Sequence, residues 1–294
     1  MKAYIFPGQG SQFVGMGREL YKKKLGKKLF DESDEILGFK ISKIMFDGKK
    51  EDLKKTEVTQ PSVFIFSVIL SKLLKRSFQP NAVAGHSLGE FSALVAAEGI
   101  SFSEGLLLVK KRAVAMQKAC DLKKGTMAAV IGLNDDHVKS ICAKTSGIVV
   151  AANFNCPGQL VISGELNAVR KTCDVLVKEG AKRALILSVG GAFHSPLMVP
   201  AKIELEKAIN NTSFKKPICP IYQNFSSFSE TDPGLIKENL INQLINPVKW
   251  RQTIINMFSD GLTKFIETGP GNVLQGLNRK IDIKIKTVQA EIQN

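Results

Sequence analysis

The stretch Gly85-His86-Ser87-Leu88-Gly89 decides the fold, and its flanks give it its meaning. Before it, Asn81-Ala82-Val83-Ala84 is a short apolar run that reads as a buried strand. After it, Glu90-Phe91-Ser92-Ala93-Leu94-Val95-Ala96-Ala97 reads as a helix. Strand, sharp turn and helix are the setting in which G-x-S-x-G forms a nucleophile elbow. Glycine two residues before and two after the serine lets strand and helix approach closely. The helix then points its N-terminal N–H groups and positive dipole end toward Ser87, which favours an oxyanion there. The bland alternative is a helix cap, since serine caps well. Strand and helix together favour the elbow.

Composition bounds the rest. The 294 residues hold one large domain or two small ones, with 44% hydrophobic and 23% charged residues, as in globular proteins. No apolar run of about 18 residues appears, so no membrane span is expected. Met1-Lys2-Ala3-Tyr4-Ile5-Phe6-Pro7 runs straight into a strand pattern, so no secretory signal is expected either. Five scattered cysteines without C-x-x-C read as reduced thiols of a cytoplasmic protein, not as a disulfide frame or a metal site. The net charge is +14. Its lysine clusters lack interleaved aromatics, so dispersed surface lysine and an acidic protein partner are favoured over nucleic acid.

Lys2–Phe6 reads as a first strand that ends in the glycine-rich loop Pro7-Gly8-Gln9-Gly10-Ser11-Gln12. Neither a P-loop ending nor G-x-G-x-x-G follows, so nucleotide binding is a poor fit. Residues 18–57 carry helical patches. Residues 60–78 read as a helix apolar nearly all round, and 103–120 as a long helix capped by Ser103. From Gly125 the pattern becomes β-α-β-β-α-β: strands at 126–133, 148–154, 160–164 and 182–189, and helices at 135–144 and 167–180. That order is the ferredoxin-like arrangement. Helices near 200–210, 233–245 and 250–260 follow, with strands at 219–224 and 263–267 and a last helix. The expected organisation is a large α/β subdomain, residues 1–124 and 191–294, interrupted by a small one, residues 125–190.

A serine nucleophile needs a base, and only three histidines exist. His86 neighbours Ser87 on the elbow, where adjacent side chains diverge. His137 lies in a polar helix start. His194 lies in a glycine-rich loop where the small subdomain hands back to the large one, and serine before histidine is the α/β-hydrolase order. His194 is therefore the expected base. No Asp or Glu between the two stands out as a third member, so that place stays open, with a backbone or amide carbonyl as one alternative for orienting the imidazole.

These residues now carry a resemblance. Phe6-Pro7-Gly8-Gln9-Gly10-Ser11-Gln12, Gly15-Met16-Gly17 and Gly85-His86-Ser87-Leu88-Gly89-Glu90 resemble blocks of malonyl-CoA:acyl carrier protein transacylases. So do residues 153–164, Ala192-Phe193-His194-Ser195-Pro196-Leu197-Met198, Asn246-Pro247-Val248-Lys249-Trp250 and Glu267-Thr268-Gly269-Pro270-Gly271, in family order along nearly the whole chain. The resemblance implies an α/β-hydrolase-like subdomain with a ferredoxin-like insertion. It implies malonyl-CoA and an acidic acyl carrier protein as partners, and a monomer with no metal or other cofactor.

By the same resemblance Ser87 is the nucleophile and His194 its base. Gln9 and Leu88 offer the oxyanion N–H groups, and the Gln243 carbonyl orients the histidine. Arg112 pairs with the malonyl carboxylate, and guanidinium matches a carboxylate bidentately. Spacing places Arg112 on one helix face with Leu108 and Met116, yet from residues alone Lys110 and Lys111 are open alternatives. Met116, Asn155 and Phe193 complete the implied substrate site. Phe193 and Leu88 match the malonyl-selecting forms of their motifs. Cys156 stands where many relatives have serine, and Gly190-Gly191 departs slightly. Two rival readings share parts of this pattern: a serine hydrolase, and a basic binding protein in which Ser87 only caps a helix.

Overall fold

The computed structural model describes residues 1–292. Its ten strands are β1 (Lys2–Phe6), β2 (Ala82–Gly85), β3 (Gly125–Ile131), β4 (Val149–Cys156), β5 (Gln159–Glu165), β6 (Arg183–Ile186), β7 (Ile221–Tyr222), β8 (Ser229–Glu230), β9 (Lys264–Glu267) and β10 (Lys286–Gln289). They form two sheets. The larger runs β10-β9-β1-β2-β7-β8, parallel except for the short β7–β8 pair. Strands covered on both faces are apolar throughout, and Ala3, Tyr4, Ile5 and Phe6 of β1 are all buried. In register Phe6 faces Gly85, so the Gly8–Gln9 loop leaves β1 beside the turn that leaves β2. The carboxyl ends of adjacent parallel strands are where open α/β sheets form their sites.

The smaller sheet is antiparallel with order β4-β5-β3-β6. Helices Asp135–Lys144 and Leu166–Lys178 cover one face and close a separate apolar cluster that includes Val130, Val138, Leu160, Ile162 and Leu176. This is the ferredoxin-like order read from the sequence. The sheet is stitched to the rest of the molecule by a parallel bridge. Phe154 N–H donates to the Val248 carbonyl at 2.9 Å, and Val248 N–H donates to the Ala152 carbonyl at 2.8 Å.

Several element ends differ from expectation. The first long helix begins at Thr56, not Gln60, so Pro61 lies inside it, not at its first turn. It is buried almost all round, as its composition predicts. The next long helix, Phe102–Leu122, is capped by Ser101 and not Ser103. Ser101 Oγ accepts from Glu104 N–H, and Glu104 Oε2 accepts from Ser101 N–H at 3.0 Å, a reciprocal capping box. Ser103 instead donates its hydroxyl to Glu32. β6 ends at Ile186, short of Val189. β8 and β10 had no expected counterpart. Among the described residues no helix is long and apolar enough to cross a membrane.

Candidate active site

Ser87 sits at φ +53°, a left-handed conformation that costs a non-glycine residue roughly 1–3 kcal/mol. The surrounding structure enforces it. A Cβ on Gly85 would lie 1.9 Å from the Gly89 carbonyl carbon, and one on Gly89 would lie 2.1 Å from the Phe6 oxygen. Only glycine fits at either position, and the helix Gly89–Ala96 starts at once. Ser87 therefore stands at the carboxyl end of β2, with its side chain in the cleft between the sheets.

His194 meets it there, 107 residues along the chain: Ser87 Oγ lies 2.7 Å from His194 Nε2. The imidazole is buried, and its Nδ1 lies 2.9 Å from the Gln243 carbonyl oxygen. A carbonyl only accepts, so Nδ1 carries the proton, and Nε2 is left to accept from the Ser87 hydroxyl. Gln243 is the last residue of the helix Pro233–Gln243, where carbonyls lack intrahelical partners. That accounts for a site without a third carboxylate. Burial, reinforced by the nearby Arg112 charge, pushes the His194 pKa down to about 3, so the ring is neutral at pH 7.

The same structure separates the three basic candidates on the Phe102–Leu122 helix. Arg112 is 1% exposed, Lys111 is exposed, and Lys110 reaches away to the carbonyls of Ile36 and Leu37. Leu108 and Met116 flank Arg112 on the buried face. The guanidinium donates to Gln60 Oε1 at 2.7 Å, Ser87 Oγ at 3.1 Å and Gln243 Oε1 at 3.3 Å, while its Nε has no partner. Every partner is neutral. Burial lowers the Arg112 pKa to about 10, which leaves it a cation at pH 7. A buried cation held only by neutral groups is a receptor for an anion.

The elbow N–H groups divide cleanly. Ser87 N–H donates to Asn224 Oδ1 at 2.6 Å, and Gly89 N–H to the His86 carbonyl at 2.9 Å. Neither the Leu88 nor the Gln9 N–H is spent on a hydrogen bond among the described residues, and both residues line the cleft beside Ser87. Met116 and Phe193 line it too, joined by Gln60, Met127 and Asn153. Asn155 does not. It accepts from His86 Nε2 at 2.9 Å, behind the elbow, where His86 also packs on Trp250. Alternation along β4 sends Asn153 and Asn155 to one face, but the bulges in the β4–β5 pairing break that simple rule. Gln60, Asn153 and the Gln243 side chain escaped the sequence because only the fold brings them here.

Glu90, in the first turn after the elbow, is a further buried titratable group. Its Oε1 accepts from Asn224 N–H, its Oε2 has no partner, and burial raises its pKa to about 8. The folded state then holds this proton more tightly than the unfolded chain, so rising pH through the window from about 4.5 to 8 weakens the fold. Glu90→Gln has no such proton. Its melting temperature relative to the wild type is expected to climb between pH 5 and pH 8, by on the order of 1.4 kcal/mol of stability per pH unit. A difference that stays constant with pH would contradict this.

A strained serine, a neutral imidazole with a fixed tautomer, two open N–H groups and a buried cation can together support acyl transfer to and from an acid-bearing acyl group. The comparisons point the same way. The acyl transferase domain family model matches residues 3–288. A malonyl CoA-acyl carrier protein transacylase of Bacillus subtilis is 42% identical over 291 residues, covering 97% of this chain and 92% of that protein. The crystal structure of an acyl carrier protein S-malonyltransferase from Vibrio cholerae superposes with a TM-score of 0.95 at 40% identity, covering 99% of this chain and 97% of that one. A malonyl-transacylase solved in complex with its type II PKS acyl-carrier protein gives 0.95 at 35% identity, over 99% of this chain and 96% of that one. With the match running through both sheets and across the cleft between them, the chain belongs to the acyl transferase domain family.

Proposed function

We propose that this protein transfers the malonyl group of malonyl-CoA to the phosphopantetheine thiol of an acyl carrier protein, through an ester on Ser87. In the first half-reaction His194 Nε2 takes the Ser87 proton as Oγ attacks the thioester carbonyl. The oxyanion forms between the Gln9 and Leu88 N–H groups. Collapse breaks the C–S bond, and the coenzyme A thiolate leaves with the proton from His194. In the second half-reaction His194 takes the proton of the carrier thiol, sulfur attacks the ester, and Ser87 leaves with that proton. The Gln243 carbonyl holds the imidazole through both steps and favours the imidazolium that forms in each.

The observation that carries this reading is Arg112. A buried guanidinium 3.1 Å from Ser87 Oγ, whose hydrogen-bond partners among the described residues are Gln60, Ser87 and Gln243, fits an acyl group that brings its own carboxylate. A general esterase has no use for that cation. Its test is intact mass after brief mixing with malonyl-CoA. The wild type should gain one malonyl group and Ser87→Ala none; an adduct retained in Ser87→Ala would reject the nucleophile.

The +14 charge suits an acidic carrier and a salt-dependent encounter. All five cysteines are free and buried, which suits a reducing, cytoplasmic setting. The resemblance suggests a monomer. The separate apolar cluster of the four-stranded sheet supports reading residues 125–190 as a subdomain inserted between 1–124 and 191–294.

A further inference from the structure

We propose that Asn224 is a positioning residue of the acyl transfer, bracing the peptide groups on both sides of the nucleophile so that the Leu88 N–H stays turned to the reacting carbonyl. The proposal rests on Ser87 as the nucleophile.

Asn224 follows β7 and is fully buried. Its Oδ1 accepts from Ser87 N–H at 2.6 Å, and its Nδ2 donates to the Gly85 carbonyl at 2.6 Å. One partner is a donor and the other an acceptor, so only one orientation of the amide satisfies both. The two bonds span the strained turn like a staple. They occupy Ser87 N–H, and so decide which elbow N–H remains open. Asn224 is itself held at both ends of its backbone. Its N–H donates to Glu90 Oε1, and its carbonyl accepts from Lys249 N–H at 3.2 Å. From the opposite side Gln243 Nε2 donates to the Ser87 carbonyl at 2.9 Å. The φ of +53° at Ser87 therefore persists between side chains supplied by Asn224 and Gln243, each more than 130 residues distant.

Removing the staple leaves Ser87 N–H and the Gly85 carbonyl buried without partners and frees the turn to relax. A displacement of about 1 Å at a reacting centre costs on the order of 100-fold in rate. Asn224→Ala is therefore expected to slow single-turnover acylation by malonyl-CoA about 100-fold, with little change in the concentration of half-saturation. Asn224→Asp keeps the shape and supplies a sharper readout. Protonated, its carboxyl donates to the Gly85 carbonyl and accepts from Ser87 N–H, as the amide does. Ionised, it turns a lone pair on the Gly85 carbonyl. The charged or titratable groups around it are Glu90 and Lys249, which bond its backbone, the Lys249 ammonium lying over the Phe225 ring, and Arg112 and His194 across Ser87.

The experiment is quenched-flow acylation followed by intact mass, from pH 5 to pH 8, for wild type, Ser87→Ala, Asn224→Ala and Asn224→Asp. Asn224→Asp should approach the wild-type rate at pH 5 and fall away from it as pH rises. An Asn224→Asp profile parallel to the wild type, or Asn224→Ala acylating at the wild-type rate, overturns the proposal. So does a loss seen only in half-saturation. If Ser87→Ala is itself acylated, it is the underlying reading of the nucleophile that fails.

Discussion

His194→Ala is expected to slow acylation of Ser87 by malonyl-CoA on the order of 10²–10⁴-fold, the range for loss of a positioned general base. The geometry leaves no understudy. His86 is turned to Asn155 behind the elbow, and Glu90 bonds the Asn224 backbone instead of the serine hydroxyl. The wild-type rate should also stay flat from about pH 7.5 down to pH 5. An ordinary histidine would lose its base character around 6.5, whereas burial and the Arg112 charge hold His194 neutral down to about 3. Quenched-flow acylation across that range checks both statements. A variant within tenfold of the wild type, or a wild-type rate that halves near pH 6.5, would mean that another group takes the proton.

The second large effect belongs to Arg112. Truncating one partner of a buried, hydrogen-bonded charge pair costs about 2–5 kcal/mol, so Arg112→Ala should lose roughly 30-fold to several-thousand-fold in kcat/KM for malonyl-CoA. The loss should reach kcat. Arg112 Nη2 donates to Ser87 Oγ, the atom that must attack. A substrate carboxylate competes for that N–H and leaves the hydroxyl to His194. It also offsets the positive charge that weakens the imidazole as a base. Acetyl-CoA brings no carboxylate and does neither. In Arg112→Ala the cation is gone, so acetyl-CoA should acylate Ser87 at least as fast as in the wild type. Competition between the two thioesters, read by adduct mass, measures the switch. A variant that keeps its malonyl preference would place the carboxylate elsewhere.

Much of this site was legible because its signals are local. The elbow announces itself through Gly85, whose missing Cβ makes room for Gly89 and Glu90 within five residues of chain, whereas Gly89 makes room for Phe6 on the neighbouring strand. The small sheet announces itself through alternation and turns. Arg112 was only half legible: helical spacing placed it with Leu108 and Met116, but only the packed helix shows Lys111 outside and Lys110 turned to other carbonyls. Asn224 and Glu90 carry no local signal for their part in the turn, since each earns its place through a partner across the sheet. The same holds for β10, which exists only because β9 offers it an edge. The displaced helix starts have a simpler origin. Ser101 and Ser103 are both good caps, and the Glu three residues on selects Ser101; Pro61 suits a first turn, but the helix had already begun.

The bond between Gln243 and His194 has a consequence for the order in which competence is acquired. The groups that touch Ser87 come from positions 112, 194, 224 and 243, so loops of up to 156 residues must close before the constellation exists. A nascent chain that has emerged as far as His194 already holds serine, arginine and imidazole. It still lacks the carbonyl that fixes the imidazole's tautomer and the amide that staples the turn. Reactivity is thus deferred until the segment that carries Asn224 and Gln243 has docked, and a chain without it has no assembled machinery with which to squander activated acyl groups on water.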